Sequence, residues 1–579
     1  MNKIEKLKTK LKEHKLDGYL IPIRDEWGCE YVPARNQRLQ FITGFTGSNG
    51  FAVICKENSA FFTDGRYTLQ AKLQVNKNDF SIFDLSDTTP AEWISENFKS
   101  KTKIGYDAAL LSISDARNLK EKLEKKNIKL VEIENNLIDD IWEKRPSSTE
   151  TKPFILDKNL SGKKASEKIK WATKQISGDV LLLTSSESIC WLLNLRANDL
   201  PYTPVLFSYA IINKKEEVFL YSNLKSLTKI EDKIDGDVFI RNANEIYKDL
   251  KKYSGKTIEL DSSLTSVKFK NILTNLNCTI LEKEDTCLKG RSIKNDSEIE
   301  ATKTAHIRDG AALCKFLSWL NRSVNNNKLT EISIAEKLEV FRKENKNFYS
   351  LSFDTIAGWN KNGAVIHYRA DERSNSEIKG TGILLLDSGA QYLDGTTDVT
   401  RTISFGAPTK EQKRNFTLVL KGHIALAKQK FLKGTSGANL DILARKFLWS
   451  EGLDYKHGTG HGVGFFLNVH EGPHAINKVN RTPLEPGMII SNEPGYYKEK
   501  EYGIRIENLV LVKKSKEKGF YEFETLTKAP IDKNLIDKTL LEQNEIDWLN
   551  NYHNDVYNKV APLLSETEKA WLKKATSKI

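Results

Sequence analysis

No apolar stretch of this 579-residue chain approaches the roughly 20 residues that a helix needs to cross a bilayer, so no membrane-spanning segment is expected. The amino terminus, MNKIEKLKTKLKEHKLDGY, lacks the apolar centre of a secretory signal, and a cytoplasmic location is the expectation. Cysteine is scarce: Cys29, Cys55, Cys190, Cys278, Cys287 and Cys314, with no C-x-x-C pair among them. Several lie in apolar runs such as FAVIC and ESICWLL, which reads as reduced, buried thiols and argues against a disulfide framework or a thiolate zinc site. There is no RNP pattern, zinc finger or arginine-rich block. The net charge of +12 is spread over interspersed Lys and Glu, as on a solvated surface. Neither nucleic acid nor membrane is therefore expected as a partner.

What is present is the composition of a globular protein, 39% hydrophobic and 29% charged. At this length one core does not suffice, and three or four units are expected. Residues 1–150 alternate strands (DGYLIPI, FAVICKENSAFFTD) with amphipathic helices (IEKLKTKLKEHK, AEWISENF, SDARNLKEKLEKK). KRPSSTETKP, at 144–153, is polar and proline-bearing and reads as a linker. Residues 151–290 alternate again: SEKIKWATKQI and ESICWLLNL helical, DVLLLTS, VLFSYAIIN, EVFLYS, TIELDSS and CTILEKE extended. This is a second α/β domain of similar order, with no close sequence repeat. Near 290 the texture changes, and a long helical pattern opens at Asp296 with Glu298 and Glu300 behind it. Residues 291–515 hold most of the histidines and the glycine-rich turns. Residues 516–579 form a C-terminal extension with the helix NEIDWLNNYHNDVYNKVAPLL, an element for packing or dimerisation.

Three segments carry chemistry. In ILLLDSGAQYLDGTTDVTRTISF (383–405), two apolar strands flank a turn-rich middle, Asp387 closing the first and Asp398 opening the second. Carboxylates facing each other across antiparallel strands repel unless a cation lies between them; each aspartate beside glycine also serves as a turn former. HGTGHGVGFFLNVHEGPH (457–474) gathers four of the nine histidines, His457, His461, His470 and His474, among glycines that let a ligand approach the backbone. The i, i+4 pair lacks the glutamate of H-E-x-x-H, which disfavours a zinc-helix protease. In GMIISNEPGYYKEKEYGIRIENLVLV (487–512), Glu493 ends one strand and Glu507 lies within the next. Alternation puts Arg505 and Glu507 on one face, where a buried salt link between them would coexist with metal binding. Four carboxylates and one imidazole balance two divalent cations, and an oxygen-rich set of this kind suits Mn²⁺. Two such ions can share a bridging hydroxide and clamp a carbonyl oxygen.

These residues resemble the ligand set of the methionine aminopeptidase, prolidase and creatinase superfamily, including the spacing of Asp387 to Asp398 and Glu493 to Glu507. GAVIHY, DSGAQYLDGTTDVTRT, HGTGHGVGFFLNVHEGP, EPGYY and GIRIEN narrow the likeness to the three-domain, cytosolic-type Xaa-Pro aminopeptidases, and TDGRY, NLR, FSYAII and DWLNNYH extend it along nearly the whole chain. The resemblance implies an α/β (α+β) protein with two creatinase-like α/β domains (1–150 and 151–290), a pita-bread metallopeptidase domain (291–515) and the extension 516–579. It implies a homodimer acting on peptides whose second residue is proline. By resemblance, Asp387, Asp398, His461, Glu493 and Glu507 bind two metal ions, with Asp398 and Glu507 bridging. Glu493 is also the proton shuttle and, with His367 and His470, catalytic. Arg66, His367, His461, His470 and Glu493 contact substrate; His457 and Arg505 stand behind the ligands; His423 and His474 are structural. A prolidase-type Xaa-Pro dipeptidase is the nearest alternative, and an interaction protein without activity on the same fold is a second.

Overall fold

The computed structural model describes residues 2–148, 150–324 and 328–579. Thr149, inside the linker candidate, and 325–327 lie outside the described residues. The chain forms two compact units, Met1–Lys158 with Lys163–Leu288, and Asn159–Gly162 with Lys289–Ile579.

The alternating segments of the first unit fold into two six-stranded sheets. The first comprises β1 (Gly18–Pro22), β2 (Phe51–Cys55), β3 (Ser59–Thr63), β4 (Phe80–Asp84), β5 (Lys103–Asp107) and β6 (Lys129–Ile133), in the order β4-β3-β2-β1-β5-β6. FAVICKENSAFFTD is thus a hairpin of two strands. The second comprises β7 (Val180–Leu183), β8 (Tyr209–Asn213), β9 (Val218–Ser222), β10 (Val238–Asn242), β11 (Thr257–Leu260) and β12 (Thr279–Glu282), in the order β10-β9-β8-β7-β11-β12. The two orders are the same, and so is the sense of every pairing: β1–β2 and β2–β3 are antiparallel like β7–β8 and β8–β9, while the other pairs are parallel. The likeness read from the alternation therefore extends to topology.

In the second unit a long helix, α1 (Asp296–Ser323), is capped by Asn295, whose side chain accepts from Glu298 N (3.1 Å) while the Glu298 carboxylate accepts from Asn295 N (3.0 Å). The capping residue expected at Asp296 is Asn295, one position earlier, and Asp296 is the first residue of the helix. α1 and α2 (Glu331–Lys343) cover a three-stranded sheet of β13 (Ile356–Trp359), β14 (Gly382–Ser388) and β15 (Val399–Phe405). The run GILLLDS is buried on both faces. Leu384 and Leu386 pack with Leu313, Phe316 and Leu338 of the helices, and Leu385 packs with Tyr368 and Tyr497 on the opposite side. Strand alternation then carries Asp387 to the side of Leu385, away from α1 and α2.

A second helix pair, α3 (Lys410–Lys428) and α4 (Gly437–Trp449), packs on a six-stranded sheet. Its strands are β16 (Phe431–Leu432), β17 (Gly460–Gly462), β18 (Glu471–Ile476), β19 (Ile489–Asn492), β22 (Asn508–Lys514) and β23 (Phe520–Thr525), ordered β16-β23-β22-β19-β17-β18; β20 (Gly495–Lys498) and β21 (Tyr502–Arg505) form a separate hairpin between β19 and β22. Ile490, Val510 and Val512 face Leu426, Leu440 and Ala444 of the helices, so the odd-numbered residues Ile489, Ser491, Leu509 and Leu511 point the other way. The two sheets meet where Glu507 N donates to Thr400 O at 3.1 Å. This junction brings the aspartate hairpin of one sheet to the glutamates of the other. The first long helix of the extension, α5 (Gln543–Val560), is bound to the same junction: Arg401 donates to Glu507 O (2.6 Å), Asn508 Oδ1 (2.8 Å) and the Tyr552 hydroxyl (2.9 Å). That packs the extension against the core of its own chain.

Candidate metal centre

Asp387 lies at the end of β14 and Asp398 immediately before β15. They are not directly opposed, as the hairpin pattern suggested. Asp387 pairs in register with Thr400, so Asp398 is its diagonal neighbour. The turn-rich middle forms its own small strands, Ala390–Tyr392 and Gly395–Thr396. In the same way Glu493 follows β19 and Glu507 precedes β22, one residue outside each strand. All four carboxylates stand at strand ends, where the backbone leaves the ladder and the side chains can converge.

They converge on His461. Its Nε2 lies 3.4 Å from Asp398 Oδ2 and 3.5 Å from Glu493 Oε1. Single ligand atoms of Asp398, His461 and Glu507 lie within 4.8 Å of one another. Glu507 Oε2 accepts from the Thr400 hydroxyl at 2.8 Å, and Glu493 Oε1 from Ser491 Oγ at 3.1 Å. Asp387 accepts from Arg505 Nη2 at 2.6 Å through Oδ2, while its Oδ1 is buried with no hydrogen-bond partner. Among the described residues no ion pair joins Arg505 to Glu507. The expected link forms with Asp387 instead, because Arg505 closes β21 while Glu507 has already turned toward Thr400.

The electrostatics describe a site short of positive charge. Burial, then the neighbouring Asp398 and Glu493, raise Asp387 to about 6 despite Arg505. Glu507 is pushed well above the usual carboxylate range by burial and by the charges of Asp398, Asp387 and Glu493. Glu493 is raised by burial and Asp398, against the pull of His461 and Arg505. Burial alone would lower His461, yet the Asp398 and Glu493 carboxylates raise it to about 9. Four crowded carboxylates, one orphaned buried oxygen and a single imidazole are a donor set for hard or borderline divalent cations, which would neutralise what the protein does not. The residues present therefore fit a pair of such ions.

Behind the cluster, Arg505 Nη1 donates to the Tyr497 hydroxyl (2.5 Å), and Tyr497 donates in turn to His457 Nε2 (2.9 Å). His457 Nδ1 contacts Gly458 O at 2.7 Å and lies 3.9 Å from Glu493 Oε2. His470 stands edge-on to His461, ring centroids 4.4 Å apart and planes at 85°. His367 follows Ile366, whose carbonyl accepts from Arg505 Nη1 at 3.4 Å. Arg66 lies in the first unit with its guanidinium forked onto Asp64 (2.9 and 2.7 Å). Three contributors went unmarked in the sequence: Tyr497, Thr400 and Arg401. Tyr497 and Thr400 sit inside EPGYY and DVTRT, but nothing in a tyrosine or threonine beside a ligand distinguishes a brace from a surface residue.

His423 contacts Asn492 O (3.1 Å) and Asn508 Nδ2 (3.2 Å), tying α3 to the strands that bear Glu493 and Glu507. His474 contacts Ile489 O (2.9 Å), and His553 Nε2 accepts from Ile531 N (3.1 Å). Burial pushes all three rings down to about 3. Unfolding returns each to about 6.5. Below that pH the unfolded chain binds protons that the folded chain does not. The stability of these neutral rings is therefore present above about pH 6.5 and lost as pH falls toward 3. None of the four carboxylates is among the causes of the His553 shift, so His553→Gln isolates the effect. Between pH 6 and 4 the parent's unfolding free energy is expected to fall by up to about 1.4 kcal/mol per pH unit more than the variant's; equal slopes in denaturant titrations would contradict this.

Two helix-backed sheets closing a carboxylate–histidine cage define a metal-dependent peptidase. Residues 300–514 match the model of metallopeptidase family M24; 3–141 and 144–298 match creatinase/prolidase N-terminal domains, and 519–579 match the C-terminal region of the M24 peptidases. A protein of Laccaria bicolor named probable Xaa-Pro aminopeptidase P is 42% identical over 99% of this chain and 93% of its own length. The solved X-prolyl aminopeptidase of Caenorhabditis elegans, described as a cytosolic enzyme with a di-nuclear active site, superposes with a TM-score of 0.94 at 32% identity, over 100% of this chain and 99% of that one. The Xaa-Pro dipeptidase of Bacillus anthracis, 26% identical with a TM-score of 0.52, covers only 64% of this chain and 98% of its own. The chain belongs to the Xaa-Pro aminopeptidase P family of M24 metallopeptidases.

Proposed function

We propose that the protein is a metal-dependent aminopeptidase that releases the N-terminal residue of peptides with proline in second position. The observation that carries this reading is the convergence of Asp398, His461, Glu493 and Glu507 at one junction of two sheets, with Asp387 beside them, in a chain that aligns from end to end with Xaa-Pro aminopeptidases. In this reading Asp387, Asp398, His461, Glu493 and Glu507 hold two divalent cations, Mn²⁺ by the oxygen-rich donor set. Bound there, such ions supply Lewis-acid polarisation of the scissile carbonyl and a nucleophile at neutral pH.

The chain's own groups do the rest. Glu493, held by Ser491 and raised by its burial, is the base that receives the proton of the attacking water. His470 and His367 donate hydrogen bonds to the substrate carbonyl as charge develops on it. The leaving nitrogen belongs to proline and carries no N–H in the peptide. Once the attacking water has formed the new C–O bond, the proton on Glu493 passes to this nitrogen as the C–N bond breaks. His457, fixed by the Arg505–Tyr497 chain and by Gly458 O, stands behind Glu493 with its Nδ1 3.9 Å from Oε2. Arg66 contacts the substrate in the same reading.

The full-length relatives favour an aminopeptidase over a prolidase. We further propose the segments 1–150, 151–290, 291–515 and 516–579 as domains, a homodimer, and a cytoplasmic location. Hydrolysis of an Arg-Pro-Pro-type peptide and of a bare Xaa-Pro dipeptide, after chelator treatment with and without added Mn²⁺, tests the function. Metal-dependent cleavage of the longer peptide is expected. Cleavage confined to the dipeptide would make the protein a prolidase, and cleavage of neither would remove the peptidase reading.

A further inference from the structure

Glu331 opens α2 with its side chain fully buried. Its partners are neutral donors: Trp359 N at 2.7 Å, Asn362 Nδ2 at 3.0 Å from each oxygen, the Tyr368 hydroxyl at 2.8 Å and Ser376 N at 2.8 Å. All four lie on one segment, 359–376, whose only regular structure is the end of β13 and a short 3₁₀ turn, Asn360–Ala364. His367 is in its middle. The segment backs onto the metal centre, since Ile366 O accepts from Arg505 Nη1, and Val365 and Tyr368 pack with Leu385 and Tyr497.

A carboxylate is an expensive group to bury without a cation. An ionised carboxylate is acceptor-only and offers about four lone-pair sites, which is what four converging donors require. A glutamine there would turn an amide N–H₂ toward some of those donors. The segment has little regular structure of its own, and the Glu331 carboxylate ties its first residue, through Trp359 N, to its last, through Ser376 N. We propose that Glu331 is a positioning residue for His367, pinning the 359–376 segment at four points so that the imidazole meets the substrate. This rests on the reading of His367 as a substrate contact.

A double-mutant cycle on the metal-loaded full chain tests it, with kcat/KM on an Xaa-Pro peptide and bound metal as readouts. His367→Ala is expected to lower kcat/KM by about 10²-fold. Glu331→Gln is expected to lower it by about 10–100-fold with metal content unchanged, as misplacing a group by about 1 Å does. Introduced into the His367→Ala background, Glu331→Gln is expected to cost no more than about 2-fold, since residues acting through one another are not additive. The same loss in both backgrounds would overturn the proposal, because a general structural role makes no distinction between them. Parent-like kcat/KM in Glu331→Gln would do so too. If His367→Ala alone leaves kcat/KM intact, the His367 reading falls first and takes this one with it. Should Glu331→Gln not fold, Tyr368→Phe removes one anchor and keeps the ring. It is expected to give a smaller loss, about 3–10-fold, that vanishes in the His367→Ala background.

Discussion

Glu507→Gln is expected to reduce kcat by about 10³-fold or more while leaving the metal-free protein at least as stable as the parent. The first half follows from losing a charged ligand atom at the centre of the cage, where Asp398, His461 and Glu507 lie within 4.8 Å. Losing a group that only orients a ligand already costs about 10–100-fold in metal affinity or activity. The second half follows from the sign of the electrostatics. Buried beside Asp398, Asp387 and Glu493, the Glu507 carboxyl is held well above its ordinary range, so its charged form opposes folding at neutral pH. Glutamine has the shape of the protonated acid, and its carbonyl can still accept from the Thr400 hydroxyl. Metal binding stabilises the folded parent by mass action, so the rise in Tm on adding Mn²⁺ should shrink or vanish in the variant. Parent-like turnover, or an undiminished rise in Tm, would contradict the assignment of Glu507.

The second large effect lies on the edge strand of the same sheet and concerns stability. Glu471, the first residue of β18, has a fully buried side chain, paired with Lys294 and with Arg291 (3.0 Å), themselves buried. Removing one member of such a group leaves uncompensated charge in the interior, which costs about 3–5 kcal/mol. In Glu471→Ala two cations would be left facing each other, so the upper part of that range is expected in the unfolding free energy. Replacing all three residues with apolar ones of similar size should recover most of the loss, because a buried ion network contributes little over well-packed hydrophobic residues. A loss under about 1 kcal/mol, the range of an exposed pair, would show that Glu471 is not held as described. Glu471 also adjoins His470, so the variant should lower activity as well as stability.

Much of this was legible in the residues themselves. Strand alternation gave strands of both N-terminal sheets, and 383–405, 457–474 and 487–512 were marked by carboxylates and histidines in apolar or glycine-rich runs. The identical topology of the two sheets appears only as strand pairing. The spacing from Asp387 to Asp398 was visible, but not that the intervening residues leave the hairpin and make the two aspartates diagonal rather than opposed. Arg505 sits two residues from Glu507, and proximity in sequence suggested that pair. The excursion of the β20–β21 hairpin instead delivers its guanidinium to Asp387. Glu331 is farther still from legibility. It lies 36 positions from His367 in a plain amphipathic helix, and only the fold shows four donors arriving at its carboxylate.

The claim on which everything rests is that these five side chains hold two cations. The direct measurement is elemental analysis of chelator-treated protein titrated with Mn²⁺, with hydrolysis of an Xaa-Pro peptide followed at each step. Binding that saturates at two ions per chain, with activity rising alongside, is the predicted result. Protein that binds no metal, or that reaches full activity while metal-free, would contradict it.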